Sequence, residues 1–426
     1  MSMRVHFIGC GGVSMKRLRE ITEKLGHETS GSDLATGGHR AENVAGSDLV
    51  VYTGAIPYDN VELVYARAHG IPTVERAEYL GAIAASFQKV IAVAGTHGKT
   101  TATGMLKEIF ASRYPCVHIG GELKVKPETE KNEYFITEAC EYRRSFLYLK
   151  PYIGIVLNAE LDHTDYYKDI FDIRSAFGGF AQNCDTVFYN GDDYGLKSVI
   201  NGKRALSFGF GEHNDFRAVA AAADKDNVWS FNVSAAGLNL GRLTLSVKGR
   251  HNVYNALAAA SAALTEGLPL SEIEEGLKAF TGVKRRMEYL GEVHGAAVYT
   301  DYAHHPTEIR ALIQALKNDG RLILVFEPHT YSRTSDLFDE FVKCFDGADE
   351  VIFAPVYGAR ETSGKADSSD LCFEVSKRMP AKYFGSYDEI NDYLKGILKK
   401  GDTVVFTGAG TINLAGEKLV SLFSQK

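Results

Sequence analysis

Short apolar runs recur along the chain, each ended by glycine or a polar cluster and followed by residues with helical spacing. The runs are Arg4–Ile8, Leu49–Tyr52, Lys89–Ala94, Tyr134–Ile136, Ile153–Leu157 and Thr186–Tyr189, then Ala297–Thr300, Leu322–Phe326, Val351–Ala354 and Thr403–Thr407. Their length and flanks predict buried strands, and their alternation with helical stretches predicts α/β units with parallel sheets. Two stretches differ. Phe208–Leu245 alternates apolar and polar residues between glycine turns, which predicts a β-rich segment, and His251–Thr265 is alanine-rich and predicts a helix. The pattern divides into three blocks, residues 1–88, 89–281 and 282–426.

Length agrees with that division. At about 100–200 residues per domain, 426 residues predict two to four domains. A net charge of -7 argues against a general nucleic-acid binder. Six scattered cysteines form no CxxC pair, so reduced thiols are expected. The N-terminus runs straight into a strand, with no charged-then-apolar leader, and no apolar run approaches the length of a membrane span. We therefore expect a soluble cytoplasmic protein that does not insert into membranes, either a monomer or a homodimer.

The strongest chemical signal follows the strand Lys89–Ala94. Gly95-Thr96-His97-Gly98-Lys99-Thr100-Thr101 is a short GxxGKT phosphate loop, with Val93 where the longer form has glycine. Such a loop turns tightly at glycine and aims helix N-terminal amides at phosphate. Lys99 is expected to reach the β- and γ-phosphates of ATP, and Thr100 to bind Mg²⁺. Gly9-Cys10-Gly11-Gly12-Val13-Ser14 approximates a dinucleotide turn with its third glycine replaced. Asp33 follows about 20 residues later, where an acidic ribose ligand is placed. Those residues alone leave open a bare turn or a nucleotide-like ligand.

Other polar groups cluster just past the ends of strands, where open α/β sheets bind ligands. They are Glu138-Ala139-Cys140-Glu141, Asn158–His163, Asp301–Glu308 and Glu327–Arg333. Each is a solvated loop or part of one site. A carboxylate and a histidine from the first two can complete a second Mg²⁺ site. Arg333 is either a surface charge or a carboxylate clamp, since guanidinium binds carboxylates through two parallel bonds.

Taken in order, these motifs resemble the Mur ligase family of ATP-dependent amide ligases. The resemblance also rests on Gly249–Leu257 and Gly408-Ala409-Gly410-Thr411, and runs from residue 4 to about residue 415. It implies three domains: a Rossmann-like N-terminal domain for a UDP-sugar, a central P-loop ATPase domain, and a Rossmann-like C-terminal domain admitting an amino acid. It is greatest to members that add L-alanine to UDP-N-acetylmuramate. It implies that Gly95, Thr96, His97, Gly98, Lys99, Thr100 and Thr101 hold ATP with Asn252, Asn255 and Asp301. It further implies Thr100, Glu138 and His163 as Mg²⁺ ligands, and Lys99, His304 and Arg286 at the reacting centre. Gly11, Gly12, Asp33, Ala55 and Ile56 would line the UDP-sugar site, and His329 and Arg333 would hold the amino acid.

Three departures mark this chain. Cys140, Tyr142 and Arg143 stand where the family pattern has Asp, Ser and Asp. The stretch after Asp33 passes almost directly to His39, where the family usually carries another helix and strand. Thr330 stands where alanine-adding members commonly carry Arg. Two other readings follow: a recycling ligase that adds a whole tripeptide to the same sugar nucleotide, and a nucleotide-binding regulatory protein without ligase activity.

Overall fold

A computed structural model describes residues 2–120, 133–317, 320–359 and 361–423. Its nineteen strands fall into three sheets.

The first sheet holds β1 (Arg4–Ile8), β2 (Glu28–Ser32), β3 (Leu49–Tyr52) and β4 (Thr73–Glu75). Its order is β2-β1-β3-β4, and every pairing is parallel. No further strand lies beyond β2 among the described residues. The segment between β2 and β3 contains only the short 3₁₀ turns Leu34–Thr36 and Ala41–Val44. A buried carboxylate organises it. Glu62 accepts hydrogen bonds from Ser32 Oγ at 2.6 Å, Asn43 Nδ2 at 2.6 Å and the Arg40 amide at 3.1 Å.

The second sheet contains β5 (Lys89–Ala94), β6 (Cys116–His118), β7 (Tyr134–Glu138), β8 (Ile153–Val156), β9 (Thr186–Asn190), β10 (Ala205–Gly209), β11 (Phe216–Ala223), β12 (Val228–Ala235) and β13 (Leu238–Lys248). The order is β13-β12-β11-β10-β9-β8-β5-β7-β6. It is parallel from β6 to β11 and ends in the antiparallel meander β11-β12-β13, the segment that reads as β-rich. The helix His251–Thr265 forms as its alanine pattern predicts, almost wholly buried against this sheet.

The third sheet contains β14 (Glu288–Val293), β15 (Ala296–Asp301), β16 (Leu322–Phe326), β17 (Glu350–Phe353), β18 (Ala381–Tyr383) and β19 (Thr403–Thr407). Its order is β14-β15-β19-β16-β17-β18, parallel except for β14 with β15. Apolar clusters cover both of its faces.

The sheets join in two ways. One apolar cluster runs from Val5, Phe7 and Leu18 in the first sheet layer, through Tyr79, Leu80 and Ile83, to Phe135, Phe146 and Phe177 of the second. The helix Arg76–Ala84 carries that bridge. A Cβ at Gly81 would stand 2.6 Å from the Tyr148 carbonyl, so only glycine permits this approach. The second and third sheets meet instead through polar side chains, which build the site below.

Candidate active site

The strand β5 lies between β8 and β7, where the strand order changes direction. A ligand at the carboxyl end of such a strand enters a ready crevice. Gly98 turns the chain there with φ of +85° and opens the helix Lys99–Ile109. A Cβ on Gly98 would come within 2.6 Å of Asn255 Oδ1, so this position needs glycine for both conformation and space. Asn255 Nδ2 donates to Asn252 Oδ1 at 3.0 Å, and Asn252 Nδ2 donates to the Lys248 carbonyl at 2.7 Å. The two asparagines thus brace the loop from the helix His251–Thr265. On its other side, Asn158 Oδ1 accepts the His97 amide at 2.8 Å, and Thr96 Oγ1 donates to the Glu160 carbonyl at 3.1 Å.

Lys99 folds over this turn. Its ammonium donates to the carbonyls of Gly95 and Thr96, at 2.5 and 3.1 Å, and stands 2.8 Å from Glu141 Oε2. Burial pushes the Lys99 pKa down, but Glu141, Cys140 and Glu138 together more than offset it, so the pKa is raised and the ammonium form prevails. Burial pushes Glu141 up in turn, while Lys99 and His163 hold its carboxyl below the usual range.

Thr100 and Glu138 meet at the same strand ends, within hydrogen-bonding reach. Glu138 Oε1 accepts the Gly120 amide at 2.7 Å, and burial raises its pKa despite Lys99 nearby. A half-buried carboxylate of this kind is stabilised by a cation. His163, with φ of +54°, points Nε2 at Glu141 Oε1 across 3.5 Å. The Thr100 hydroxyl and the Glu138 carboxylate offer the oxygen ligands that suit a hard divalent ion such as Mg²⁺.

The third sheet closes over the loop. A cavity of about 630 Å³ lies between them, lined by His97, Gly98, Thr101, Asn252 and Asn255 from one side and Arg286, Asp301 and Glu308 from the other. Asp301 ends β15, and its carboxylate accepts the amides of Met287 and Ala303, each at 2.7 Å. Burial raises its pKa to about 6. Glu308 caps the helix Pro306–Leu316 and accepts the His304 amide at 3.0 Å. Its other oxygen lies 3.1 Å from His97 Nδ1 and 3.8 Å from Arg286 Nη1. Burial lowers the pKa of His97, but Glu308 and Glu160 raise it to about 10, so this imidazole is held as a cation. His304 is the opposite case: burial lowers its pKa to about 3, leaving it neutral.

His329 and Arg333 share one end of the third sheet. Arg333 Nη1 donates to His329 Nδ1 at 3.1 Å. The rest of the guanidinium is turned to Asp162 of the second sheet layer, with Nη2 and Nε at 2.8 and 3.1 Å from Oδ1. Thr330 caps the helix Tyr331–Asp336 with φ of +65°, a strained value for a β-branched residue.

The first domain holds its expected residues at the end of β1. Asp33 accepts the Gly11 amide at 2.9 Å and the Ala35 amide at 3.1 Å. The Gly12 amide end opens the helix Val13–Lys24, and a Cβ there would meet nothing within 4 Å. Ile56 packs beside Gly9, and the Ala55 amide donates to Thr53 Oγ1. Arg143, one of the departures, places Nη1 3.6 Å from the Cβ position of Gly54 in the same turn. This side chain from the second domain therefore faces the first-domain site.

Sequence reading gave no role to Glu141, Glu160, Asp162 or Glu308, although each is the direct partner of an expected site residue. Their strand-end placement is visible in the sequence; their pairing in space, across domains for Glu160, Asp162 and Glu308, is not. Three family models match the chain: "Mur ligase family, catalytic domain" over residues 4–88, "Mur ligase middle domain" over 93–263, and "Mur ligase, glutamate ligase domain" over 285–410. The UDP-N-acetylmuramate–L-alanine ligase of Caldanaerobacter subterraneus subsp. tengcongensis is 41% identical over 446 residues, covering 98% of this chain and 97% of the relative. The enzyme of the same name from Clostridium novyi is 42% identical over 442 residues, covering 97% and 96%. Among solved structures, the UDP-N-acetylmuramate–alanine ligase of Thermotoga maritima superposes with a TM-score of 0.84 at 26% identity over 99% of both chains. A murein peptide ligase from Psychrobacter arcticus shares the fold, with a TM-score of 0.71 at 23% identity over 100% of this chain and 99% of that one. With all three models matched in order over a fold built of three such domains, the chain belongs to the Mur ligase family.

Proposed function

We propose that this enzyme joins L-alanine to the lactyl carboxylate of UDP-N-acetylmuramate at the expense of ATP, in the assembly of peptidoglycan precursors. The observation that carries the reading is the cavity itself. It unites the phosphate loop with Asp301 and Arg286 of the third domain. The full-length relatives that carry this activity in their names support the choice of substrates.

In this reading residues 1–88 bind the UDP-sugar through Gly11, Gly12, Asp33 and the Ala55-Ile56 turn. Residues 89–281 bind ATP, and residues 282–426 admit the amino acid. The sugar carboxylate attacks the γ-phosphate of ATP to give an acyl phosphate and ADP. The free amine of alanine then attacks the acyl carbon, forming the amide and releasing phosphate. Two anions must approach each other in the first step. Lys99 of the phosphate loop and Arg286 of the third domain offset that charge. Thr100, Glu138 and His163 would hold Mg²⁺, which when bound adds further charge compensation at the phosphates. Asn252 and Asn255 set the rear wall of the loop, and Asp301 faces the nucleotide. His304, neutral and half-buried, adjoins the reacting centre. In this reading the reaction takes place in the cytoplasm. No helix among the described residues is long and apolar enough to cross a membrane.

The test is acceptor specificity. Purified protein is given ATP, MgCl₂, UDP-N-acetylmuramate and either L-alanine or the recycling tripeptide. Phosphate release with L-alanine is expected; release with the tripeptide alone would replace this reading with the recycling one. No release with any acceptor would favour the regulatory alternative.

A further inference from the structure

Arg333, the expected clamp for the amino-acid carboxylate, already holds a carboxylate. Asp162 lies 2.8 Å from Nη2 and 3.1 Å from Nε, through its single oxygen Oδ1. The same oxygen accepts the His163 amide at 2.7 Å. Asp162 is 5% exposed and the Arg333 side chain 11% exposed, so both charges are removed from water. Among the described residues, no hydrogen bond reaches the other oxygen, Oδ2, which lies 4.0 Å from His163 Nε2. The pair spans two domains. A second contact, from Thr164 Oγ1 to Asp336 Oδ2 at 2.6 Å, closes the same seam.

We propose that the Asp162–Arg333 ion pair is the amino-acid site in its empty form, and that the zwitterion of an α-amino acid inserts into it. The substrate carboxylate takes the guanidinium fork of Arg333, and its ammonium takes Oδ2 of Asp162. This rests on the acceptor reading given above and assigns Asp162 as the ammonium anchor. The physical reason is charge balance. Two buried opposite charges must be paired at all times. They pair with each other when the site is empty and with the two ends of the zwitterion when it is filled. An amine without a carboxylate cannot displace Asp162 from Arg333. A carboxylic acid without an amine strands Asp162. The site therefore selects ligands carrying both charges on neighbouring carbons. Thr330 fits this account: the Arg–Asp pair already supplies one cation and one anion for one zwitterion, so a further arginine is not required for charge.

The experiment compares two nucleophiles in the full enzyme with ATP, MgCl₂ and UDP-N-acetylmuramate. L-alanine uses the site; hydroxylamine, small and neutral, traps the acyl phosphate as a hydroxamate without needing either charge. In Asp162→Asn, the ratio of L-alanine use to hydroxylamine use should fall at least about 30-fold, in line with the loss of one member of a buried charge pair, with the L-alanine KM carrying the change. Asp162→Glu, which keeps the charge, should recover part of that ratio. In Arg333→Lys, the preference for L-alanine over alaninamide should collapse. A parallel fall of both nucleophiles in Asp162→Asn would make Asp162 a strut for closure or for its neighbour His163, and would overturn the proposal. An unchanged L-alanine KM would do the same while leaving the acceptor reading intact. A parent enzyme that traps acyl phosphate but uses only the tripeptide would overturn both.

Discussion

The two domain junctions of this molecule are built from opposite materials. Between the first and second sheets the core is continuous, with Phe7, Leu18, Tyr79, Leu80, Phe146 and Phe177 in one apolar cluster. Between the second and third sheets the contacts are polar: Thr307 with Glu160, Arg333 with Asp162, Thr164 with Asp336 and His97 with Glu308. The clusters on the third sheet contain no residue before Met287. An apolar junction cannot open without exposing its area to water. A polar junction exchanges its partners for water or ligand at far smaller cost. The first junction thus fixes the first domain to the second. The second is suited to part, admit substrates and close again, as active sites completed by domain closure require.

The largest expected effect breaks the chemistry at the polar junction while sparing the domain held by the apolar one. Lys99→Ala removes the ammonium that rests on Gly95, Thr96 and Glu141. Turnover should fall on the order of 10³-fold, the usual scale for losing a group that stabilises transition-state charge. UDP-sugar affinity, measured by titration calorimetry, should change less than about twofold, because additivity holds between distant independent sites. Equal loss of both would show that the two sites do not act separately.

The next effect tests the apolar junction. Leu80 is 5% exposed within the shared cluster. Leu80→Ala should cost about 3 kcal/mol of stability, the range for emptying a buried leucine site. Calorimetry should show the first and second domains losing stability together. Separate transitions, with only the first shifted, would contradict a shared core.

Those junctions also explain what could be read from the sequence. Leu322–Phe326 is fully buried and wholly apolar, and His251–Thr265 is a long alanine pattern; both formed at the predicted bounds. The strand Glu28–Ser32 escaped notice because its sequence is ETSGS, and it forms through backbone pairing with β1 at the sheet edge. The three-residue strands Thr73–Glu75, Cys116–His118 and Ala381–Tyr383 are too short to show a period. The antiparallel edge strand Glu288–Val293 is too polar to stand out. The phosphate loop was legible because its glycines and Lys-Thr-Thr are local in sequence. The ion pairs were not, since Asp162 and Arg333 lie 171 positions apart and only the docking of two sheets brings them together. The short segment after Asp33 was legible as a deletion, whereas the buried Glu62 that holds it looks in sequence like any helical surface charge.

The smallest effect sharpens the contrast through pH. His97 belongs to the phosphate loop, and its partner Glu308 belongs to the third sheet, 3.1 Å away. With the junction closed its pKa is raised to about 10, because Glu308 and Glu160 outweigh burial. With the junction parted, Glu308 leaves while Glu160, on the same domain as His97, stays, so the imidazole pKa falls only part of the way back toward the ordinary value of about 6.5. A raised closed-state pKa stabilises closure fully below the open-state value. That contribution declines as pH rises through the open-state value and is gone above about 10. Both carboxylates have lowered pKa values, so they stay ionised across this window. The expected outcome is a radius of gyration that grows from pH 7 to pH 10 at constant ionic strength. In His97→Asn the same pH range should leave the radius flat. The apolar junction holds His118, 3.1 Å from Ser14 Oγ, but burial lowers its pKa to about 3, so it stays neutral over this range. The first and second domains should remain docked throughout, and hydrogen exchange at Leu80 and Ile83 should show it. A radius that stays constant in the parent protein would mean that the remaining polar contacts hold the seam without His97.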